Sequence, residues 1–345
     1  MMTPRVLLIT AVAIAGVVRG GLLITQGQRL RDDPDAYRAI AICLAETRTF
    51  GLIDPETQAG MPTAFRPPLY PRLLSWFVDG DGLAVHRVAA LHWVLGLWTV
   101  ALTADIGRRL FSSLVGLIAS VLVTLDPILV TQQSLVMTET LAVTLVTSVW
   151  WWIIVFSPIH WSAGEGHASA LREITTHVIM RFAIILGLGL LACIFCRPTF
   201  LVWGVLLIGL PFVGALWQAD RTRFFWCVTS SCIVVVFAVG IGAWTTRNWV
   251  RLGAPIWATT HGGYTMLLAN NKSFFDYADN ADRHSWLPWD RRPWDPAPFF
   301  AELSELRSKA RQSGLVDGEV SADRFDSEQA IECIRQSPVT FVKAC

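Results

Sequence analysis

Charge is scarce in this sequence. Of 345 residues only 16% are Asp, Glu, Lys or Arg, against about a quarter in an ordinary soluble domain. A water-solvated surface for a chain of this size is hard to build from so few ionic groups. Net charge is lacking too: 28 Lys and Arg nearly cancel 27 Asp and Glu, leaving +1. No global field therefore attracts nucleic acid, which is excluded as an expected partner. The seven cysteines show no metal-ligand spacing, and Cys193-x-x-Cys196 falls inside an apolar run, where it reads as helix packing. A P-loop, an HExxH and a GxSxG are all missing. So is any repeat with a period of about 20–50 residues. The composition also excludes a disordered, collagenous or disulfide-rich secreted chain.

Apolar residues are abundant. AVILMFWYC make up 53% of the chain and the mean hydropathy is +0.47. Crossing about 30 Å of hydrocarbon takes roughly 20 apolar residues, and backbone groups there must be satisfied within a helix. The expected fold is an all-α integral membrane protein with seven spans: Val6–Ile24, Val88–Ile106, Leu114–Val130, Thr140–Phe156, Phe182–Cys196, Thr199–Trp217 and Phe224–Trp244. Apolar character continues past Ala13-Ile14-Ala15, so the first run reads as a span rather than a cleaved leader. The third and fifth runs are short, as expected of tilted, half-inserted or re-entrant segments.

Positive charge sets the orientation. Met1–Arg5, Gly107-Arg108-Arg109, the segment 157–181 with Arg172 and Arg181, and Asp220–Arg223 alternate with the other connections. Placing them in the cytoplasm puts the N-terminus inside. Residues 25–87, 131–139, Arg197-Pro198 and 245–345 then lie outside. The chain divides into a membrane module, 1–244, with a large first external loop at 25–87, and an external, partly helical segment, 245–345. In that segment Glu302–Gln312 and Arg324–Gln336 read as helices, and Ser337-Pro338 as a cap followed by proline at the first helical position. The apolar run that follows reads as the start of a further helix, so truncation is one expectation for this chain.

The few polar residues near span ends are the candidates for chemistry. Asp33-Pro34 is a helix start, after which Tyr37, Ile40, Ala41 and Leu44 share one face at helical spacing. Asp33 reads either as a cap or, with Asp32 and Asp35, as a carboxylate at the membrane surface able to act as general base. In Phe65-Arg66-Pro67-Pro68-Leu69-Tyr70-Pro71 the prolines fix the backbone around Arg66 and Tyr70. Arg66 there is either a phosphate ligand or the partner of a nearby acid. Glu139 opens the fourth span as a helix-terminal acid or a functional one. Arg197 is an interfacial arginine or a phosphate clamp. Arg247-Asn248 and His261-Gly262-Gly263-Tyr264 come directly off the seventh span. Trp286, Trp289 and Trp294 read as substrate contacts or a lid.

These landmarks resemble the GT-C membrane glycosyltransferases that use polyprenyl-phosphate sugars. Among them the likeness is to the bacterial branch related to the dolichyl-phosphate-mannose–protein mannosyltransferases and the lipid A aminoarabinose transferase. It rests on residues 33–41 and 65–71, Leu135–Glu139, Cys196-Arg197-Pro198-Thr199, Thr246-Arg247-Asn248-Trp249, Thr259–Gly263 and Asn270-Asn271, which occur in family order. The resemblance implies an inverting transfer of sugar from a polyprenyl-phosphate donor to a lipid, glycan or protein acceptor at the outer face of the bacterial cytoplasmic membrane. It implies Asp33 as the base, with Asp35 as the alternative and Glu139 as a second acid. It further implies that Tyr37, Arg66, Tyr70, Arg197, Arg247, Asn248 and His261 contact substrate, and that Asp33 and Glu139 hold a divalent cation in those members that use one. Family members usually carry further helices after the point where this sequence stops. A lipid-linked sugar flippase and a non-catalytic relative are the competing expectations.

Overall fold

The computed structural model describes residues 4–156, 176–215, 217, 220–280 and 294–344. The described chain is almost entirely helical, with two short antiparallel ribbons, Gly51–Ile53 with Gly60–Pro62 and Val78–Asp79 with Gly82–Leu83. Among the described residues five helices are long and apolar enough to cross a membrane: Leu8–Arg31, Val85–Leu110, Glu139–Phe156, Thr176–Cys196 and Arg223–Leu252. The chain therefore has the build of an all-α, multi-pass membrane protein. Apolar side chains point outward along these helices, among them Ile9, Val17, Leu188 and Val239, as contact with lipid tails requires.

Two apolar helices are shorter, Ser113–Leu125 and Phe200–Ala215. The expected span Leu114–Val130 is in fact two helices, Ser113–Leu125 and Pro127–Gln132. Pro127 explains the break. It has no N–H to give to the carbonyl four residues back, and it drives Asp126 out of the helical region. Asp126 sits at φ −58° and ψ 116°, and its carboxylate accepts from the Leu129 N–H to start the second piece. The fifth run differs in the other direction. Its helix begins at Thr176, six residues before Phe182, and is long enough to span.

The chain forms two compact units. The first comprises Met1–Pro62 and Pro67–Arg247, the second Thr63–Arg66 and Asn248–Cys345. The break at Arg247 lies close to the expected one at 244, but four residues of the first loop belong with the C-terminal unit. In the first unit α1 (Pro4–Gln26) packs on α4 (Val85–Leu110) and α5 (Ser113–Leu125). In turn α4 packs on α7 (Glu139–Phe156), and α7 on α8 (Thr176–Cys196). The approach of α4 to α5 is very close. A Cβ on Gly116 would stand 2.4 Å from the Ala104 carbonyl oxygen, so only glycine allows this contact. Short helices α2 (Tyr37–Thr47) and α3 (Leu69–Leu74) pack on each other, and α3 also on α8. One core joins Leu23, Leu30, Tyr37, Tyr70, Val88, Leu141 and Cys196.

The second unit is built on helices Gly262–Ala269 and Glu319–Gln336, which pack along one another, with Lys272–Asn280, Ala297–Gln312 and Pro338–Ala344 around them. The two C-terminal helices begin five residues earlier than the expected Glu302 and Arg324. Ser337-Pro338 does open the last helix.

Candidate functional site

Asp33 lies in the turn before α2. That helix starts at Tyr37, three residues later than an Asp33 cap with Pro34 in the first turn would give, because Ala36 takes a left-handed conformation at φ 60°. Asp33 caps it nevertheless. Its Oδ1 accepts from the Arg38 N–H at 3.0 Å and its Oδ2 from the Ala39 N–H at 2.8 Å, satisfying amides that a helix start leaves without partners. Tyr37, Ile40, Ala41 and Leu44, the face expected from spacing, are all buried. Asp35 is half-buried in the same turn and has an interaction of its own.

Tyr37 and Tyr70 meet edge to face, with ring centroids 5.4 Å apart. Tyr70 has no exposed surface, so the substrate-facing position implied for it is not what the geometry provides. Its hydroxyl is 2.8 Å from His92 Nε2, and His92 Nδ1 is 2.8 Å from the Gln133 backbone oxygen. Gln133 and Arg19 then bond reciprocally. Arg19 Nη1 donates to Gln133 Oε1 at 3.0 Å and Gln133 Nε2 donates to the Arg19 oxygen at 3.2 Å. A further guanidinium nitrogen, Nη2, donates to the Val123 carbonyl at 2.7 Å. That carbonyl is the one left without a helical donor by Pro127. Burial holds the Tyr70 hydroxyl well above the ordinary tyrosine pKa, with Cys196, Tyr37, Glu139 and Asp33 adding to the effect. The hydroxyl therefore keeps its proton.

Glu139 begins α7, and Arg197 follows α8. They pair at 3.2 Å between Arg197 Nη1 and Glu139 Oε1. Glu139 Oε2 is buried without a hydrogen-bond partner, whereas the Arg197 side chain is 46% exposed. The guanidinium therefore keeps donors on its open side, as binding a phosphate requires. Cys196 is buried next to this pair, its thiol 3.7 Å from the Thr138 oxygen. Both members of the Cys193-x-x-Cys196 motif are buried and free. Arg247, at the end of the first unit, donates to the Phe50 carbonyl and lies over the Phe50 and Trp244 rings at 5.4 and 5.2 Å.

The remaining candidates belong to the second unit. Arg66 is 8% exposed and stacks over the neighbouring Phe65 ring at 4.6 Å. Phe65 meets His261 edge to face at 4.7 Å, and His261 stands 5.1 Å from Tyr264. Glu319 fixes this segment by accepting from the Thr63 hydroxyl and, at 2.7 Å, from the Ala64 N–H. Asn248 is fully buried, and its amide donates to the Ile256 oxygen at 2.7 Å. Gly263 brings its N–H to within 2.6 Å of Asp323 Oδ1. A Cβ there would lie 1.9 Å from the Asp323 oxygen. Burial raises the Asp323 pKa above the usual carboxylate value, opposed by that N–H and reinforced by Asp326. Trp294 is half-buried against the core of this unit, packing on Phe274 and Phe299 and donating to Ser273 at 3.2 Å. Trp286, Trp289 and Arg172 lie outside the described residues.

The cation implied for Asp33 and Glu139 fits these residues poorly. A hard divalent ion takes six or more oxygen ligands, and among the described residues no group of three or more metal-ligating side chains occurs. Glu139 is committed to Arg197. No chemical step is therefore assigned to a metal.

Sequence reasoning did not single out His92 or Gln133. A lone histidine inside the run Val88–Ile106 is the signal that would have found one of them, since an ionisable residue within a span defaults to a functional reading. No family model, curated protein or solved structure matches the chain.

Proposed function

We propose that this chain is a GT-C-type glycosyltransferase that moves a sugar from a polyprenyl-phosphate donor to a lipid, glycan or protein acceptor. In this reading the membrane module has seven crossings. The N-terminus is cytoplasmic and Asp33, Glu139 and Arg197 face the outside of the bacterial cytoplasmic membrane. The observation that carries the proposal is the Glu139–Arg197 pair, whose arginine keeps an exposed side, next to the core in which Tyr70 packs on the helix that Asp33 caps. A fixed carboxylate and an open guanidinium gathered around one rigid residue suit displacement at a phosphate-linked carbon.

Asp33 takes the proton of the acceptor hydroxyl. That oxygen forms a bond to the anomeric carbon with inversion, and the carbon–oxygen bond to polyprenyl phosphate breaks. Negative charge builds on the departing phosphate, where Arg197 is available to meet it. Arg66, Asn248 and His261 remain donor contacts on the strength of the resemblance alone.

A second reading, a flippase for a lipid-linked sugar, draws support from Arg19 and His92, buried polar residues within two of the apolar helices, because transporters concentrate polar groups within the bilayer. One experiment separates the two. The purified full chain is reconstituted in liposomes with a labelled polyprenyl-phosphate sugar and a mixture of lipid and glycan acceptors. Sugar transfer supports the enzyme. Movement of intact donor between leaflets without transfer supports the flippase, and neither result leaves a non-catalytic subunit.

A further inference from the structure

We propose that Arg19, Gln133 and His92 are positioning residues for the transfer reaction. In this proposal they form a buried chain of fixed hydrogen-bond direction that turns the Tyr70 hydroxyl away from substrate and locks its ring between the Asp33 helix and the Cys196 end of α8. The proposal rests on the glycosyltransferase reading above and deepens it.

The direction follows from the partners. The Gln133 backbone oxygen can only accept, so His92 carries a proton on Nδ1. The ring is fully buried, and its hydrogen-bond partners include no carboxylate to balance an imidazolium. The Arg19 cation is bonded to the same Gln133. A second positive charge there is the costly state, and the neutral ring presents Nε2 as a lone pair. Tyr70, which keeps its proton, donates to it. At the other end Arg19 is held by two acceptors, Gln133 Oε1 and the Val123 carbonyl, and Gln133 is held in return by the Arg19 oxygen. Each link thus has one donor and one acceptor, and none can reverse without leaving a buried group unpaired.

The far end of the chain is what matters for chemistry. Tyr70 belongs to α3, which packs on both α2 and α8. Its ring meets Tyr37 in the first turn of the helix that Asp33 caps. Cys196, in the same apolar core, adjoins Arg197. Tyr70 is therefore a wedge whose placement is shared by the acid on one side and the acid–arginine pair on the other. Losing the His92 partner frees the ring to shift, and displacements of about an ångström at remote supports cost roughly 10²-fold in rate.

The test is a double-mutant cycle on the full-length protein, reading both donor turnover and thermal unfolding in detergent. His92→Phe is expected to lower kcat roughly 10- to 100-fold with KM for donor unchanged. His92→Gln, which keeps an acceptor on the side chain, is expected to recover part of that loss. Tyr70→Phe should lower kcat in the parent. In the His92→Phe background it should have little effect or improve the rate, because the orphaned hydroxyl is then gone. In unfolding, the two substitutions should likewise be strongly non-additive.

Additive effects overturn the chain. So does a rise in KM on Tyr70→Phe that is the same in both backgrounds, which would make the hydroxyl a direct substrate ligand. A parent that binds and flips donor but transfers no sugar removes the glycosyltransferase reading, and the positioning role for transfer with it. The unfolding cycle then still reports whether His92 and Tyr70 act as one unit.

Discussion

Asp33→Asn separates two roles that the same carboxylate can fill. As a cap, Asp33 holds two backbone amides, one on each oxygen, at 3.0 and 2.8 Å. Asparagine keeps one acceptor oxygen and presents an NH₂ group to the other amide. The expected loss is one hydrogen bond, in a position where Asn and Asp cap almost equally well, or about 1 kcal/mol. Against a typical stability of roughly 5–15 kcal/mol the folded fraction barely changes. As general base, by contrast, the carboxylate is worth about 10²–10⁴ in rate, equivalent to roughly 3–5 kcal/mol of transition-state stabilisation. The two contributions differ enough to be read on one sample. Unfolding is followed by intrinsic tryptophan fluorescence, which the 16 tryptophans of this chain make strong, and transfer by incorporation of labelled sugar. The expected result is a small drop in melting temperature with turnover reduced by at least about 100-fold. Asp35→Asn, a few residues away but not on the cap amides, should leave turnover near the parent level. Parent-rate transfer by Asp33→Asn, or a loss that moves to Asp35→Asn, would refute Asp33 as the base.

Three other outcomes follow from the packing. Gly116→Val should lower the melting temperature sharply, because its Cβ alone would stand 2.4 Å from the Ala104 oxygen and 2.9 Å from the Arg108 nitrogen. Overpacking of this kind costs about 1–3 kcal/mol or more, and an unchanged melting curve would contradict the close α4–α5 contact. Arg19→Met removes the donors to Val123 and Gln133 Oε1, and each orphaned buried acceptor costs about 1–3 kcal/mol. A melting temperature equal to the parent's would show that these bonds carry nothing. Asp323 has a raised folded pKa, so it binds its proton more tightly folded than unfolded. Its ionisation costs stability as pH rises from the ordinary carboxylate value to the raised one. Asp323→Asn keeps an acceptor for the Gly263 N–H and should gain on the parent in melting temperature as pH climbs through that window. A gap that stays level or narrows would count against the assignment.

Much of the helical layout was legible in the sequence, because apolar runs and cap residues are local signals. The buried face at Tyr37, Ile40, Ala41 and Leu44 followed from spacing alone, as did the opening of the last helix at Ser337-Pro338. The break at Pro127 was present in the sequence but masked by apolar residues on both sides. The earlier start at Thr176 was hidden by the polar and basic residues in its first turns. The candidate site was less legible for a physical reason. Arg197 and Glu139 pair across two helices, and the Arg19–Gln133–His92–Tyr70 chain joins four separate segments. No periodicity in one stretch of sequence encodes such a meeting. Residue type did flag Glu139 and Arg197 individually, since charge at or within an apolar run is costly. Nothing in the local sequence showed that the Tyr70 hydroxyl is turned inward to His92.

The guanidinium that closes the Val123 carbonyl also bears on how the protein is made. Residues 113–132 form two helical pieces whose own backbone cannot satisfy every polar group at the junction. The missing donor comes from a helix synthesised 104 residues earlier. The segment is thus not self-sufficient as a unit of insertion, since bare carbonyls in hydrocarbon are expensive. The expectation is that the first helix stays beside this segment as it inserts, so that the two enter the lipid as a pair. Replacing Arg19 should therefore leave residues 113–132 slow to integrate in a cell-free insertion assay, with the first helix itself inserting normally. The order of assembly would then be set by one side chain.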